Sequence, residues 1–346
     1  MKLFLKSGYV NMEYIKNMGC TFNIVYGGRG TGKTYGTLKM CLEDKHTIML
    51  TRRTQTQLDI INKKDFSPYL SIANDLDFEF VSQSVTKYNT AIYYANIDEE
   101  TGKLVPTGFP FAYTSALSTF SNIRGFDASY IQDWVYDEFI PELHERPIKD
   151  EADAFFNAYE TMNRNRELKG LPPIKVYLLS NSNRLSSPIF LKLNIVDTVS
   201  KMKVSGERVF VDRKRSLAIF DLEDSPISIR KQETALYKLA ESNSSFAQMS
   251  LRNQFFKEGF GNIRSRNLKE FTPVVSFGEI TIYQHKNRNE WYVSMHGQGA
   301  REKYEYNDAN KKRFLRKYYY IWDLYLENLL EFESPICEML LTEYLK

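Results

Sequence analysis

The order of apolar and polar positions divides the chain into stretches of different rhythm. Up to about residue 205, short apolar runs alternate with amphipathic ones. Phe22-Asn23-Ile24-Val25-Tyr26 predicts a buried strand, and Lys33 to Cys41 after it predicts a helix. His46 to Thr51 predicts a second buried strand, ending at Arg52-Arg53, with a helical stretch through about Ile61. Asp77 to Val81 reads as a short strand. Ala91 to Ile97 and Phe109 to Thr114 read as a hairpin around Glu99-Glu100-Thr101-Gly102. Ile131 to Tyr136 and Ile174 to Leu179 are two further strands, with a helix over Ala152 to Met162 between them. Strands alternating with helices predict a parallel, three-layer α/β sheet over about the first 200 residues.

The rhythm then changes. Glu207 to Asp212 and Leu217 to Asp221 read as strands, and Pro226 to Glu241 as a helix with proline in its first turn. From Phe271 the pattern is short strands: Val274 to Phe277, Ile280 to His285 and Trp291 to Met295, the last two joined at Lys286-Asn287-Arg288-Asn289. A long amphipathic helix from about Lys312 to Leu330 and a short terminal helix follow. The expected layout is a first domain over 1–205, a linking subdomain over 206–255 and a smaller α+β domain over 256–346.

Composition narrows the class. The chain has 346 residues, 42% hydrophobic and 26% charged, which suits a globular protein with a well-buried core. A formal charge of only +3 means that any nucleic-acid contact is a local patch. The three cysteines, Cys20, Cys41 and Cys337, are sparse and unpatterned, against a disulfide framework or zinc cluster and for a reducing compartment. With no apolar run of membrane-spanning length and no signal peptide, a cytosolic protein is expected.

The chemistry concentrates in four places. Gly27, Gly32, Lys33 and Thr34 fit the phosphate-loop pattern G-x-x-x-x-G-K-[ST], with Gly28, Arg29, Gly30 and Thr31 inside it. The glycines let backbone N–H groups wrap a triphosphate, and the following helix presents its positive end to the same anion. Lys33 is expected on the β- and γ-phosphates of ATP and the Thr34 hydroxyl on Mg²⁺. Trp134-Val135-Tyr136-Asp137-Glu138 is an apolar strand ending in two acids: Asp137 for Mg²⁺ and Glu138 to orient the attacking water. Several candidate strands precede Asp137. They leave room for an extra strand between the two nucleotide-binding ones, as in P-loop ATPases with an added strand and a catalytic glutamate. Ser180 and Asn181, at another strand end, are either γ-phosphate sensors or a polar turn. Arg164 and Arg166 follow a helix, and either could serve as an arginine finger, in its own subunit or a neighbour's; Arg29 is a third candidate.

These elements together resemble the DNA-encapsidation ATPases of small short-tailed phages with protein-primed linear genomes, which are related to terminase large subunits. The resemblance rests on Gly27 to Thr34, Arg52-Arg53, Val135-Tyr136-Asp137-Glu138-Phe139-Ile140, Arg164-Asn165-Arg166-Glu167, Leu179-Ser180-Asn181 and Ser250-Leu251-Arg252-Asn253-Gln254-Phe255. It implies a homo-oligomeric ring, a pentamer, acting in the host cytoplasm and transiently on the portal vertex of an empty capsid. ATP hydrolysis there drives double-stranded DNA inward, with the portal and a packaging RNA as further partners. Arg164 lies where the family places its trans-acting arginine finger. The resemblance also implies a ribonuclease H-like second domain. Val274 to Phe277 and Trp291 to Met295 carry no Asp or Glu, and Glu279 and Glu290 stand alone, so no two-metal nuclease is expected.

Two basic clusters are candidates for sequence-independent phosphate contacts: Lys311, Lys312, Arg313, Arg316 and Lys317, followed by Tyr318, Tyr319 and Tyr320, and Arg213-Lys214-Arg215. The other reading of the first is a solvated helix face with tyrosines in the core. Ser118 to Arg124 could also reach a central channel. His144, His285 and His296 are scattered and read as non-ligands. Rival readings of the whole chain are a helicase or chromosome motor, a small-molecule kinase, and a non-catalytic nucleotide-binding scaffold.

Overall fold

The computed structural model describes residues 2–123, 128–141, 148, 150–181, 187–231, 233–235, 262–297, 299–327 and 329–345. Arg124, His144, Ser250 to Phe255 and the far part of the expected helix, residues 236–241, lie outside them. Two compact units divide the chain: residues 1–189 with 202–255, and residues 190–201 with 256–346.

The first unit is built on nine strands: β1 (Phe22–Tyr26), β2 (Thr47–Arg52), β3 (Glu79–Thr86), β4 (Asn89–Ile97), β5 (Leu104–Ala116), β6 (Ile131–Asp137), β7 (Lys175–Ser180), β8 (Val209–Asp212) and β9 (Leu217–Asp221). Their order is β3-β4-β5-β2-β6-β7-β1-β9-β8. From β5 through β9 every neighbouring pair is parallel. Antiparallel pairs close both edges. β7 therefore runs between β1 and β6, with Ile24 opposite Leu178 and Val135 opposite Tyr177.

Burial on both faces explains why the central strands read as unbroken apolar runs. Successive residues of β6 serve opposite layers. Trp134 stacks on Phe155 at 4.9 Å between ring centroids and donates its indole N–H to Thr51 Oγ1 (2.9 Å). Val135 packs into the cluster that holds Leu38 and Cys41. Short helices Met12–Lys16 (α1), Gln55–Ile61 (α3) and Tyr69–Leu76 (α4) accompany α2 (Lys33–Glu43) and α5 (Glu151–Asn163). Leu38 and Cys41 belong to α2 and Phe155 to α5, so helices cover both faces of the sheet. The expected hairpin is present, its turn tied by Thr101 N donating to Asp98 Oδ1 (2.8 Å).

Some elements differ from the sequence reading. Residues 207–221 form β8 and β9, and β9 pairs with β1, so these strands extend the main sheet. The helix expected from Lys312 to Leu330 is broken. The segments are Asp308–Lys317 and Tyr320–Leu326, because Tyr318 leaves helical geometry and Leu330 joins a strand beside Trp291.

The second unit has a five-stranded sheet, β13-β10-β11-β12-β14. β10 (Phe271–Phe277), β11 (Ile280–His285) and β12 (Trp291–Ser294) form an antiparallel meander. β13 (Glu302–Tyr304) runs parallel to β10, and β14 (Leu330–Phe332) parallel to β12. Val275, Phe277, Ile282 and Val293 bury one face against Phe314, Ile321 and Leu341. Among the described residues no helix is long and apolar enough to cross a membrane.

Candidate nucleotide-binding site

β1 ends at Tyr26, and the chain turns through Gly27 to Gly32 before α2 starts at Lys33. Glycine is needed at Gly27 twice over. Its φ is +146°, and a Cβ there would lie 2.7 Å from Leu222 Cβ. Gly32 precedes α2 at φ +88° without a side-chain cap, so the first turn of the helix opens on the loop with its N–H groups uncapped.

Lys33 is buried. Its Nζ donates to the carbonyls of Gly27 and Gly28, both at 2.9 Å, and to Thr31 Oγ1 at 3.2 Å. Burial lowers its pKa to about 7, with the charge of Lys231 pushing the same way and Asp137 and Glu138 opposing. The Thr34 hydroxyl donates to Asp137 Oδ2 at 3.0 Å. Burial raises the pKa of Asp137, against the nearby Arg52 guanidinium. A hydroxyl and a carboxylate meeting from two elements are hard oxygen donors of the kind Mg²⁺ takes beside substrate phosphates. The residues present fit that ion.

Glu138 sits just past the strand tip at φ +58°, a left-handed conformation that costs a non-glycine residue about 1–3 kcal/mol. Its neighbours hold it there. Its N–H donates to Asp137 Oδ1 (3.1 Å), Asn181 Nδ2 donates to its Oε1 (3.4 Å), and Arg52 Nη1 meets its Oε2 at 2.5 Å. Arg52 Nη2 also contacts Asp137 Oδ2 at 2.9 Å, so one guanidinium spans both acids. Gly27, Lys33, Thr34, Asp137, Glu138 and Asn181 are thus linked by contacts around one loop. Ser180 is buried, and its carbonyl accepts from Gly27 N (3.2 Å).

The two adjacent arginines separate. Arg52 joins the site, whereas Arg53 is fully buried and makes a two-point contact with Glu151, Nε to Oε1 (2.9 Å) and Nη2 to Oε2 (3.0 Å). Tyr136 donates to the same carboxylate at 2.9 Å. Residues one apart at a strand end point to opposite faces, which accounts for the split.

Arg164 and Arg166 are not brought to this loop. Arg166 Nη1 donates to the carbonyl of Ile131 (2.9 Å) and its Nε to that of Pro172 (2.9 Å), which fixes it at the start of β6. Asp137 ends that strand, about 20 Å away at ~3.3 Å per residue. Arg164 is exposed at the C-cap of α5, φ +39°, with Nε donating to Thr161 O at 3.2 Å. Tyr159, one turn earlier, touches Phe22 at the start of β1. Both arginines therefore lie by the N-terminal ends of the central strands, at the end of the sheet opposite the loop.

Of the basic clusters, Lys312, Arg313 and Arg316 are exposed on one helix, Lys317 pairs with Glu302, Tyr318 is core and Tyr319 is exposed. Arg213, Lys214 and Arg215 are exposed in the turn between β8 and β9.

Sequence reasoning missed the flank of the loop made by Leu222, Lys231 and residues 7–10. No local pattern marks them, since they reach the loop from distant parts of the chain.

A glycine loop opening from a strand into a helix, beside a strand tipped by Asp137 and Glu138, defines a phosphate-loop nucleotide-binding protein of the α/β class. Residues 4–307 match the family model of the Podovirus DNA encapsidation protein (Gp16), and the chain belongs to that family. Two solved structures share the fold. One, described as the bacteriophage Phi-29 viral genome packaging motor assembly, is 18% identical with a TM-score of 0.66, over 100% of both chains. The other, described as the Phi-28 gp11 DNA packaging motor, is 18% identical with a TM-score of 0.64, over 97% of both. A search of curated proteins finds no match.

Proposed function

We propose that the chain is the ATP-driven translocase of this encapsidation family, moving double-stranded DNA into an empty capsid through its portal. The observation that carries the reading is the Thr34–Asp137 contact at 3.0 Å, with Glu138 one residue on, at the mouth of the glycine loop. Thr34 and Asp137 hold Mg²⁺, which offsets charge on the β- and γ-phosphates when bound. The backbone of Gly27, Gly28, Arg29, Gly30, Thr31 and Gly32 cradles the triphosphate, and Lys33 moves from the loop carbonyls onto its outer phosphates. Glu138 orients the attacking water, and Asn181 holds that carboxylate and senses the γ-phosphate. Arg52 keeps both acids aligned. β7 between β1 and β6 supports the additional-strand, catalytic-glutamate class. It also favours this reading over a small-molecule kinase.

Arg164 acts in trans, on the nucleotide of a neighbouring copy. Its place at the C-cap of α5, by the strand ends remote from its own loop, supports this over action in cis, and the engagement of Arg166 with two carbonyls favours Arg164 as the finger. Exposed Phe109 stacks on exposed Tyr130 near Arg166, and exposed Leu168 and Leu171 follow in sequence, giving that end apolar surface for a second copy. The assembly is a homo-oligomeric ring, a pentamer, formed in the host cytoplasm and seated on the portal vertex, with a packaging RNA as a further partner. Residues 256–346 form a ribonuclease H-like domain retained for binding rather than cutting. The β10–β12 meander with β13 parallel to β10 supports the fold, and Glu290, tied to Arg288 at 3.2 Å, supports the loss of cleavage.

The test is subunit mixing. Lys33→Ala should abolish nucleotide turnover. Glu138→Gln and Arg164→Ala should each bind ATP yet turn it over slowly, and mixed assemblies of the two should regain part of the activity. Unchanged turnover in Glu138→Gln refutes the catalytic assignment, and no regain at any ratio refutes action in trans.

A further inference from the structure

Two segments remote in sequence close around the phosphate loop, and neither carries a nucleotide motif. The first leaves β9. Leu222 N donates to Tyr26 O (2.8 Å), and Leu222 packs where Gly27 lacks a side chain. Ser225 then accepts from Ser228 N (3.3 Å) and starts the short helix Pro226–Lys231, with proline in its first position. The second segment is near the N-terminus. Val10 N donates to Thr31 O (3.0 Å), and Arg230 Nη1 donates to Ser7 O (3.0 Å). That contact fastens the helix to the same wall of the loop.

The result is a placed cation. Lys231, the last residue of the helix, extends its ammonium over the loop and donates to Arg29 O at 2.5 Å. A Cβ on Gly30 would lie 2.2 Å from that nitrogen. The bland role for a lysine ending a helix is to complement the helix dipole at its own last carbonyls. Lys231 instead reaches across 202 residues of sequence to one neutral carbonyl of the loop. Among the described residues no carboxylate pairs with it, and partial burial lowers its pKa. The charge also bears on Lys33. Two ammonium groups thus converge on one loop, and a polyanion seated in it would offset both.

Building on the nucleotide site above, we propose that Lys231 is a second phosphate-binding lysine, which takes a β- or γ-phosphate oxygen of a nucleoside triphosphate from outside the glycine loop. An ammonium has three donors, so it can keep Arg29 O and add a phosphate oxygen. Through it the nucleotide gains a direct hold on the segment 222–231, and triphosphate is favoured over monophosphate.

The experiment uses the full chain with fluorescent N-methylanthraniloyl ATP and AMP in the presence of magnesium, comparing Lys231→Ala, Lys231→Met and Lys231→Arg. A charge-assisted contact predicts about tenfold weaker ATP-analogue binding in the Ala and Met variants. AMP-analogue binding should change less than about twofold, and Lys231→Arg should restore most of the loss. In steady state the ATP KM should rise about tenfold while kcat falls less than about threefold. Native ATP-analogue affinity in both neutral variants overturns the proposal. So does an equal loss for AMP and ATP, which marks a role only in shaping the loop. Lys33→Ala is the control. Binding lost there and intact in the Lys231 variants refutes this inference alone, while binding intact in all of them refutes the nucleotide site itself.

Discussion

Replacing Glu151 by leucine should be among the most damaging single changes outside the phosphate loop, although Glu151 touches no part of it. Arg53 is 0% exposed and Glu151 2%. Glu151→Leu leaves a guanidinium buried without its carboxylate, which costs about 3–5 kcal/mol. Tyr136 also loses its acceptor, at about 1 kcal/mol. In a unit of this size 1 kcal/mol lowers Tm by about 2–4 °C, so a fall of roughly 10–20 °C is expected. Removing both charges, as Arg53→Met with Glu151→Leu, should recover most of it, because an apolar pair of similar volume is close to neutral in such a place. Trp134, packed on Phe155 in the same layer, is the reporter, with Trp291 and Trp322 changed to phenylalanine so that only the first unit is seen. Thermal and urea unfolding by fluorescence then close the double-mutant cycle. A loss below about 1 kcal/mol for Glu151→Leu, or a double variant as unstable as the single one, would refute the reasoning.

Two further outcomes follow from the geometry. His46 Nδ1 lies 2.6 Å from Asp133 Oδ2, and that hydrogen bond raises the histidine pKa above 6.5, against partial burial. Its stabilisation is complete below 6.5 and is lost as pH rises through the raised value, so the urea midpoint of the first unit should drop over that interval and His46→Gln should flatten the drop. Gly27→Ala must place a Cβ at φ +146° and 2.7 Å from Leu222 Cβ, so titration with a fluorescent ATP analogue should find binding lost; adding Leu222→Ala should not restore it, because alanine keeps the clashing Cβ, the residue-222 backbone carbons stay at 2.8 and 2.9 Å, and the strain at φ +146° remains.

What the sequence made legible is what short-range chemistry specifies. The glycine loop needs glycines because of φ and close approach, and both are local requirements. β6 was readable because a central parallel strand is apolar on both faces until its tip. The hairpin at Asp98 to Gly102 was readable because turns have their own residue preferences. Pairing between distant strands was not. Leu217 to Asp221 has the apolar character of a strand, but nothing in it says that its partner is β1, nearly 200 residues earlier. β3 extends to Thr86 because β4 supplies hydrogen bonds to a polar, half-exposed segment that shows no apolar alternation. The division of labour between Arg52 and Arg53 required knowing where β2 ends, since that fixes which arginine faces the acids. Lys231 was invisible for the same reason as the partner of β9: its place beside the loop depends on the pairing of β9 with β1.

The same topology gives the proposed dependence on assembly a simple origin. β6 delivers Asp137 and Glu138 at the C-terminal end of the central strands, and a parallel connection to β7 must carry the chain back to the other end. α5 makes that return. Its 13 residues span about 20 Å, close to the rise of β6, so the residue that follows it emerges far from the loop where the strand ended. Arg164 is that residue. Moving it within reach of its own phosphate loop would require unwinding α5 or pulling Trp134 from Phe155, and both are buried. A neighbouring copy that presents its loop to this end of the sheet needs neither change. On the proposed reading, a single chain would hold what is needed to bind ATP, and Arg164 of the next subunit would supply the guanidinium that speeds its hydrolysis.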